Sequence, residues 1–355
     1  MENKMIRQSL LGCLLGTAVG DSLGLPYEGL RSRRAARLFG PPDHHRFIFG
    51  RGMVSDDTEH ACFVVRALIE SRLDPIQFEQ SLARSLKWWL ASVPAGVGKA
   101  TAQAILKIGL GFAPDKSGVF SAGNGPAMRS PLLGVVFAGH PERMKEFVKR
   151  STRMTHSDPK AYWGALCAAL AASISTGQKP ITPQEFLSVV QESLKEEPAE
   201  EFIALLVGAC QSAASSEPVS EFAKTIGCTK GISGYIFHTV PCVIQVWLRH
   251  QQDFAAGIQE MIAAGGDTDT TAAILGGIIG AGVGVEGIPA AWIQGIWEWP
   301  RSVKWMTHLA AALDQTIAGE SVLVPGYCIP AIPIRNIIFL LIVLSHGLRR
   351  LLPPY

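Results

Sequence analysis

LLGCLLGTAVGDSLGL, residues 10–25, decides the fold class. Leu10, Leu14, Ala18, Asp21 and Leu25 recur at spacings of three and four, the period of one face of an α-helix. Asp21 lies on that apolar face, and an unpaired buried charge is costly, so Asp21 needs partners inside the fold. The same spacing returns in Ala61, Cys62, Val65 and Ile69, in Ala161, Ala165, Leu166 and Ala169, and in Phe202, Leu205, Leu206 and Ala209. Long alternating patterns of the β type, βαβ units and internal repeats are missing. Pro41-Pro42, Pro94, Pro131, Pro180, Pro183 and Pro218 punctuate helices of ordinary length. The expectation is an all-α fold, a compact orthogonal bundle of roughly a dozen or more helices.

Composition agrees. The chain has 355 residues, 48% hydrophobic and 17% charged, the balance of a core-rich globular protein. Its formal net charge of +2 singles out no nucleic-acid or membrane partner. The run Arg31, Arg33, Arg34 and Arg37 reads as a solvated face. The 7 cysteines include no CxxC pair and sit mostly in apolar helical stretches, which points to buried free thiols in a reducing, cytoplasmic setting. Lys4 and Arg7 before an apolar run imitate a signal sequence, but too few apolar residues precede Cys13 for a hydrophobic region of about 7–15 residues. Two further apolar stretches, Ala272 to Ile288 and Ile337 to Leu344, read as buried helices, the second falling well short of the roughly 20 residues needed to span a bilayer. No linker interrupts residues 1–324, which read as one domain. Residues 325–355 form a C-terminal extension with a short apolar helix.

Two acidic clusters carry the chemistry. Ser55-Asp56-Asp57-Thr58 follows Gly50 and Gly52 and opens a helix. Gly265-Gly266-Asp267-Thr268-Asp269-Thr270-Thr271 opens another. Helix capping explains one acid in each, and Asp56 with Glu59 has capping-box spacing. It does not require paired acids flanked by hydroxyls. Hard divalent cations such as Mg²⁺ and Mn²⁺ choose carboxylate and hydroxyl oxygens, and two such ions about 3.5–4 Å apart need several carboxylates. By spacing alone, metal ligation and double capping remain open. Gly265 and Gly266 allow unusual dihedrals and close packing before Asp267. Gly123-Asn124-Gly125-Pro126 suits a tight turn into a helix whose free N–H groups favour phosphate. Arg129 suits a structural role, with phosphate or a buried acid such as Asp21 as its possible partners. His156 and Asp158 precede another helix, where one His is more often structural than catalytic.

These stretches resemble the ADP-ribosylglycohydrolases, a family that includes the hydrolase reactivating dinitrogen reductase. The resemblance runs through GCLLGTAVGDSLGLPYEG (12–29), GMVSDDTE (52–59), GVGKAT (96–101), GNGPAMR (123–129), THSDPKA (155–161) and GGDTDTTAAILGGIIGA (265–281), in the family order. It implies an all-α fold with a binuclear metal centre between helix N-termini. Ser55, Asp56 and Asp57 fall on one ligand set, and Asp267, Asp269 and Thr270 on the other, for two divalent metal ions, Mg²⁺ or Mn²⁺. The implied substrate is an ADP-ribosylated protein or a small ADP-ribose conjugate, cleaved at the ribose C1″ bond. Glu28 falls on an acid that some members hold on a mobile loop near the metals. Glu28 and Asp269 are thus the catalytic candidates, and Gly123, Asn124, Gly125 and His156 the substrate-binding ones. The sequence departs from the family at Ser55, where Thr is usual, and at Ala95, where arginine-directed bacterial members often carry an Asp. The second departure weakens the expectation of an ADP-ribosyl-arginine substrate. A catalytically silent ADP-ribose-binding module is the alternative. A di-metal phosphoesterase is disfavoured by the lack of His–Asp metal motifs.

Overall fold

The computed structural model describes residues 2–351, and among them regular structure is helical throughout, with backbone pairing elsewhere limited to isolated bridges. The all-α expectation holds. The helices that build or brace the site are α1 (Glu2–Gly24), α2 (Ser32–Phe39), α3 (Asp56–Ser71), α4 (Pro75–Ala91), α5 (Lys99–Gly109), α6 (Pro159–Ser175), α7 (Thr268–Val283) and α8 (Ala331–Leu351). The periodicities at residues 61–69, 161–169 and 202–209 fall on α3, α6 and the helix Glu200–Ala214. Leu25 lies just beyond α1, in a 3₁₀ turn over Leu25–Tyr27.

The centre of the fold is a seam in which α1 and α7 lie backbone against backbone. A Cβ added at Gly12, Gly16, Gly20 or Gly24 would stand 2.1, 2.1, 2.0 or 2.3 Å from the carbonyl oxygens of Gly280, Gly276, Ala272 and Thr268. Falling partner numbers against rising ones make the helices antiparallel, matched turn for turn. Every residue of α7 from Thr268 to Gly282 is buried. Glycine inside a helix costs about 0.5–1 kcal/mol relative to Ala. Here that cost is offset by helix packing closer than any side chain would allow.

The seam delivers its acids to one end. Thr268 donates its hydroxyl to the Gly24 carbonyl at 2.8 Å, so α7 begins where α1 stops. One turn back, fully buried Asp21 accepts from the Ser55 amide at 2.9 Å, the Thr58 amide at 3.2 Å and the Thr58 hydroxyl at 2.5 Å. These bonds supply the partners that a carboxylate on the apolar face requires, and they fasten α1 to the start of α3.

The C-terminal extension differs from expectation. Its helix is not the short stretch 337–344 but runs Ala331–Leu351, and it is not buried in the core. Ala331, Ile332, Arg335, Asn336, Phe339 and His346 face the domain. Ile334, Ile337, Ile338, Leu340, Leu341, Leu344, Leu348 and Leu351 face outward, each at least 42% exposed. Apolar residues occupy both sides, so periodicity identifies a helix without selecting its inner face. Among the described residues, two helices are long and apolar enough to cross a membrane, and the other lies within Ile6–Tyr27, a segment almost wholly buried. Six cysteines are buried and free as expected, whereas Cys328 is exposed. Pro353 and Pro354 lie outside the described residues.

The seam predicts a sharp contrast between two glycines. Gly16→Leu drives a side chain into the Gly276 carbonyl and is expected to lower stability by about 3 kcal/mol or more, beyond ordinary overpacking. Gly109→Ala, at a helix end with nothing within 4 Å, is expected to be neutral or slightly stabilising. Thermal unfolding of both variants checks this, and equal Tm shifts would contradict the seam.

Candidate metal centre and cleft

Ser55 caps α3, accepting the Asp57 amide at 3.3 Å, which leaves Asp56 and Asp57 free of capping duty. Glu59 forms no capping box. It accepts from the Trp89 indole at 2.5 Å and pairs with Arg301. Asp267 is the N-cap residue of α7 but makes no side-chain cap bond. Capping therefore does not account for the paired acids.

Backbone geometry aims the second cluster. Gly265 and Gly266 have φ of +76° and +92°. A Cβ at Gly266 would stand 2.0 Å from the Ile232 carbonyl oxygen, and one at Gly265 would stand 2.7 Å from that of Leu30. The glycine pair is thus threaded between two backbone segments. The Gly29 amide donates to the Gly266 carbonyl at 2.7 Å, which sets Glu28 beside Asp267.

The clusters meet. The Thr270 hydroxyl donates to Asp57 Oδ2 at 3.2 Å, and the Ser55 hydroxyl donates to the same oxygen at 3.1 Å. The other oxygens, Asp57 Oδ1 and Asp269 Oδ1, are buried without a hydrogen-bond partner. Oxygens of Glu28, Asp267 and Asp269 lie within 4.8 Å of one another, an arrangement able to hold a metal ion. Burial first, and then neighbouring carboxylates, raise Asp56, Asp57 and Asp269 well above the usual aspartate range. Burial lifts Asp21 to about 6, against the pull of its hydrogen bonds. Glu28 reaches solvent but is ringed by protein. Desolvation and then Asp267 raise it, while Arg350 draws it back. Buried acids with vacant oxygens and mutual repulsion fit a hard cation, which would neutralise them and fill those oxygens.

A cleft of about 380 Å³ opens over this floor. It is lined by Glu28, Ser55, Asp56, Gly123, Asn124, Gly125, His156, Asp267, Asp269 and Thr270, with Asp57 just beneath. All the site residues expected from sequence therefore converge. The structure adds a positioning contact at Asn124. Asn124 donates to Asp267 Oδ2 at 2.7 Å and to Thr239 at 3.0 Å, so it orients an acid. The helix after Gly123-Asn124 is a single turn, Gly125–Met128, too short for a strong terminal dipole. His156 Nδ1 meets the Thr155 hydroxyl at 2.9 Å, and its ring packs on Gly123 and Gly125. Burial and then Arg129 lower it to about 3, so the imidazole is neutral. Arg129 reaches no acid. It donates to the Ser151 carbonyl at 2.6 Å, the Thr155 hydroxyl at 2.7 Å and the Gly125 carbonyl at 3.2 Å, pinning two cleft loops together. The charge is buried in full, and its pKa falls to about 9.

Sequence reasoning did not bring α8 to the cleft. Phe339 and Val343 line the cleft with Leu25, Ala95, Lys99 and Thr101. Arg335 grips Glu298 through two 2.7 Å bonds and donates to the Val54 carbonyl at 2.6 Å, directly before Ser55. Asn336 donates to the Ser92 carbonyl at 2.8 Å, at the root of the loop carrying Ala95. Arg350 donates to the carbonyls of Glu28 at 2.6 Å and Pro26 at 2.7 Å, and His346 Nε2 lies 2.9 Å from the latter oxygen. One helix thus braces three edges of the cleft. The separation of residue 25 from residue 350 hides these contacts from any local pattern.

The family model for ADP-ribosylglycohydrolases matches residues 2–321. The chain belongs to the ADP-ribosylglycohydrolase family. Its activity class is therefore hydrolysis of an ADP-ribosyl bond. It is 28% identical over 311 residues to the ADP-ribosyl-[dinitrogen reductase] glycohydrolase of Rhodospirillum rubrum, covering 83% of this chain and 92% of that protein. It is 27% identical over 334 residues to ADP-ribosylhydrolase ARH3 of Danio rerio, covering 81% and 86%. A solved structure titled ADP-ribosylglycohydrolase-related protein complex shares the fold, with a TM-score of 0.59 at 23% identity, over 88% of this chain and 99% of that one. Helix α8 lies beyond the matched residues.

Two predictions follow from the site. Raised aspartate pKa values mean that the metal-free folded state holds more protons than the unfolded chain, whose aspartates titrate near 3.8. Stability of the metal-free protein then falls as pH rises through the elevated values. Its Tm is expected to rise as pH is lowered back through them, while added Mg²⁺ or Mn²⁺ stabilises most on the high-pH side, by about 2.7 kcal/mol at a hundred times Kd. A Tm indifferent to both pH and metal contradicts this. Separately, Arg350→Ala is expected to speed amide hydrogen exchange across residues 25–30, and unchanged exchange there contradicts the brace.

Proposed function

We propose that the chain hydrolyses the C1″ bond between the distal ribose of ADP-ribose and its acceptor, a modified protein side chain or a small conjugate, using two divalent cations, Mg²⁺ or Mn²⁺. The supporting observation is that both acidic clusters meet at one cleft while buried oxygens of Asp57 and Asp269 lack any protein partner. Ser55, Asp56 and Asp57 would hold one ion, and Asp267, Asp269 and Thr270 the other. Bound there, the ions supply Lewis acidity and orient hydroxyl groups.

The chain's own residues supply the rest. Asn124 fixes the direction of Asp267. Gly123, Asn124, Gly125 and neutral His156 form a wall with close backbone approach for the nucleotide. Lys99 and the uncapped N–H groups that open the 11-residue α5 face the same cleft and suit a diphosphate. Glu28, with its raised pKa, holds a proton nearer neutrality than an ordinary glutamate and exchanges it with the departing or attacking oxygen. Asp269, beside it, is the second proton-handling group. Carboxylates concentrated under the ribose stabilise positive charge developing at C1″. Ala95 presents a methyl group on its loop, which argues against a mechanism needing an additional acid there. Both named relatives are, by their names, hydrolases of ADP-ribosyl bonds. The free thiols fit action in the cytoplasm.

Incubation with Arg-, Ser- and O-acetyl-linked ADP-ribose in Mg²⁺ or Mn²⁺ tests the proposal. Release of free ADP-ribose is expected from at least one substrate. Asp56→Ala and Asp269→Asn should abolish metal binding and turnover. Glu28→Gln should lower kcat by about 10²–10⁴ while leaving ADP-ribose affinity nearly intact. Tight ADP-ribose binding without turnover of any substrate would sink the hydrolase reading in favour of a silent binding module.

A further inference from the structure

The outer face of α8 is unexplained by the cleft and its chemistry. Its eight outward aliphatics, from Ile334 to Leu351, form a continuous ridge, and no charged residue of α8 is exposed before Arg349. Soluble surfaces normally scatter such side chains singly, and a contiguous row marks an interaction site. At one end the ridge continues into more apolar surface. Asn336 bonds Ser92, whose neighbour Val93 is 76% exposed, and Trp88 one turn earlier is 77% exposed.

The other end is cationic. Arg34 donates to the Arg350 carbonyl at 2.6 Å, which sets α2 against the end of α8. Arg349 lies over the Phe39 ring of α2 at 5.6 Å. Arg31, Arg33, Arg34 and Arg37 are all exposed there, and α2 contains no acid. Among the described residues, none of these five arginines forms an ion pair. The run has the solvated face expected of it, but that face is joined to an apolar helix.

We infer that α8 is an interfacial helix that docks the protein on an anionic lipid surface, with its outer aliphatics in the acyl boundary and the arginine cluster among the headgroups. An apolar face rimmed by cations is the pattern of helices that lie in that plane. The anionic cytoplasmic leaflet supplies the complementary charge. Spanning is the wrong geometry for this helix. Its inner face carries Arg335, Asn336, His346 and Arg350, each hydrogen-bonded to the domain, and insertion would strip those partners in hydrocarbon. A second copy is a poorer occupant, because it offers no acid on α2 or on the exposed face of α8 to meet a rim of one sign. The inner face of the same helix lines the cleft and holds the Glu28 loop. Docking therefore brings the cleft to the membrane and restrains the segment that bears Glu28. This departs from the expectation, drawn from net charge and from the short reading of the helix, that no membrane is a partner.

Flotation of the full chain with vesicles tests the inference without reference to metal or turnover. The vesicles are phosphatidylcholine alone, or phosphatidylcholine with one quarter phosphatidylserine. The wild type is expected to float with the anionic vesicles. Leu341→Glu with Leu344→Glu should lower partitioning at least tenfold. Arg33→Ala with Arg37→Ala should lower it about fivefold per arginine, and added salt should act in the same direction. Unchanged Tm values show that both double variants are folded. Failure of the wild type to float overturns the inference. So does equal flotation on both vesicle types with no effect of the arginine changes. A dimer in light scattering that Leu341→Glu with Leu344→Glu converts to monomer, without flotation, also overturns it and assigns the face to a second copy.

Discussion

The close backbone contact of α1 and α7 is the constraint on which the rest of the molecule depends. Glycines at every fourth position of α1 meet Gly280, Gly276, Ala272 and Thr268 so closely that no side chain fits between them. That contact fixes the end of α1 beside the start of α7. It carries Asp21 into the interior, where the amides of Ser55 and Thr58 and the Thr58 hydroxyl satisfy it. The Ser55 cluster is thereby drawn to the same point as Asp267 and Asp269. The acidic cluster is a consequence of helix packing, with loops contributing orientation and not location.

Concentrating acids in the interior has an electrostatic consequence. Burial raises Asp56, Asp57 and Asp269, and their mutual proximity raises them further. Without a cation, these groups meet the burial cost by holding protons. With one, the same repulsion becomes affinity for a hard ion. The surrounding bonds hold the acids in place. Ser55 and Thr270 share one oxygen of Asp57, Asn124 holds Asp267, and Arg129 locks the loops of Gly125 and Thr155 through neutral oxygens alone.

Much of this was legible in the sequence where the determinants are local. Helical spacing identified α1, α3 and α6. Gly265-Gly266 announced a backbone that only glycine adopts, and the structure gives both positive φ. Asp21 on an apolar face announced a need for partners. Long-range geometry was not legible. Capping and ligation predict the same residue types at residues 56 and 267, and only the observed cap at Ser55 and the absent cap bond at Asp267 separate them. Asn124 reads as a turn residue until the structure places Asp267 beside it. The bonds from α8 to Ser92, Val54, Pro26 and Glu28 join residues 244, 281, 324 and 322 positions apart, and its apolar pattern, continuous around the helix, conceals which side faces the cleft.

The central claim is that the two acidic clusters jointly hold divalent metal at the base of an ADP-ribose cleft. A crystal soaked in Mn²⁺ and ADP-ribose, with anomalous diffraction recorded, tests it most directly. The account predicts two anomalous peaks ligated by Ser55, Asp56 and Asp57 on one side and by Asp267, Asp269 and Thr270 on the other, with the distal ribose above them and the nucleotide along Gly123–Gly125. Anomalous density elsewhere, or ADP-ribose bound in the cleft over a metal-free cluster, would contradict it.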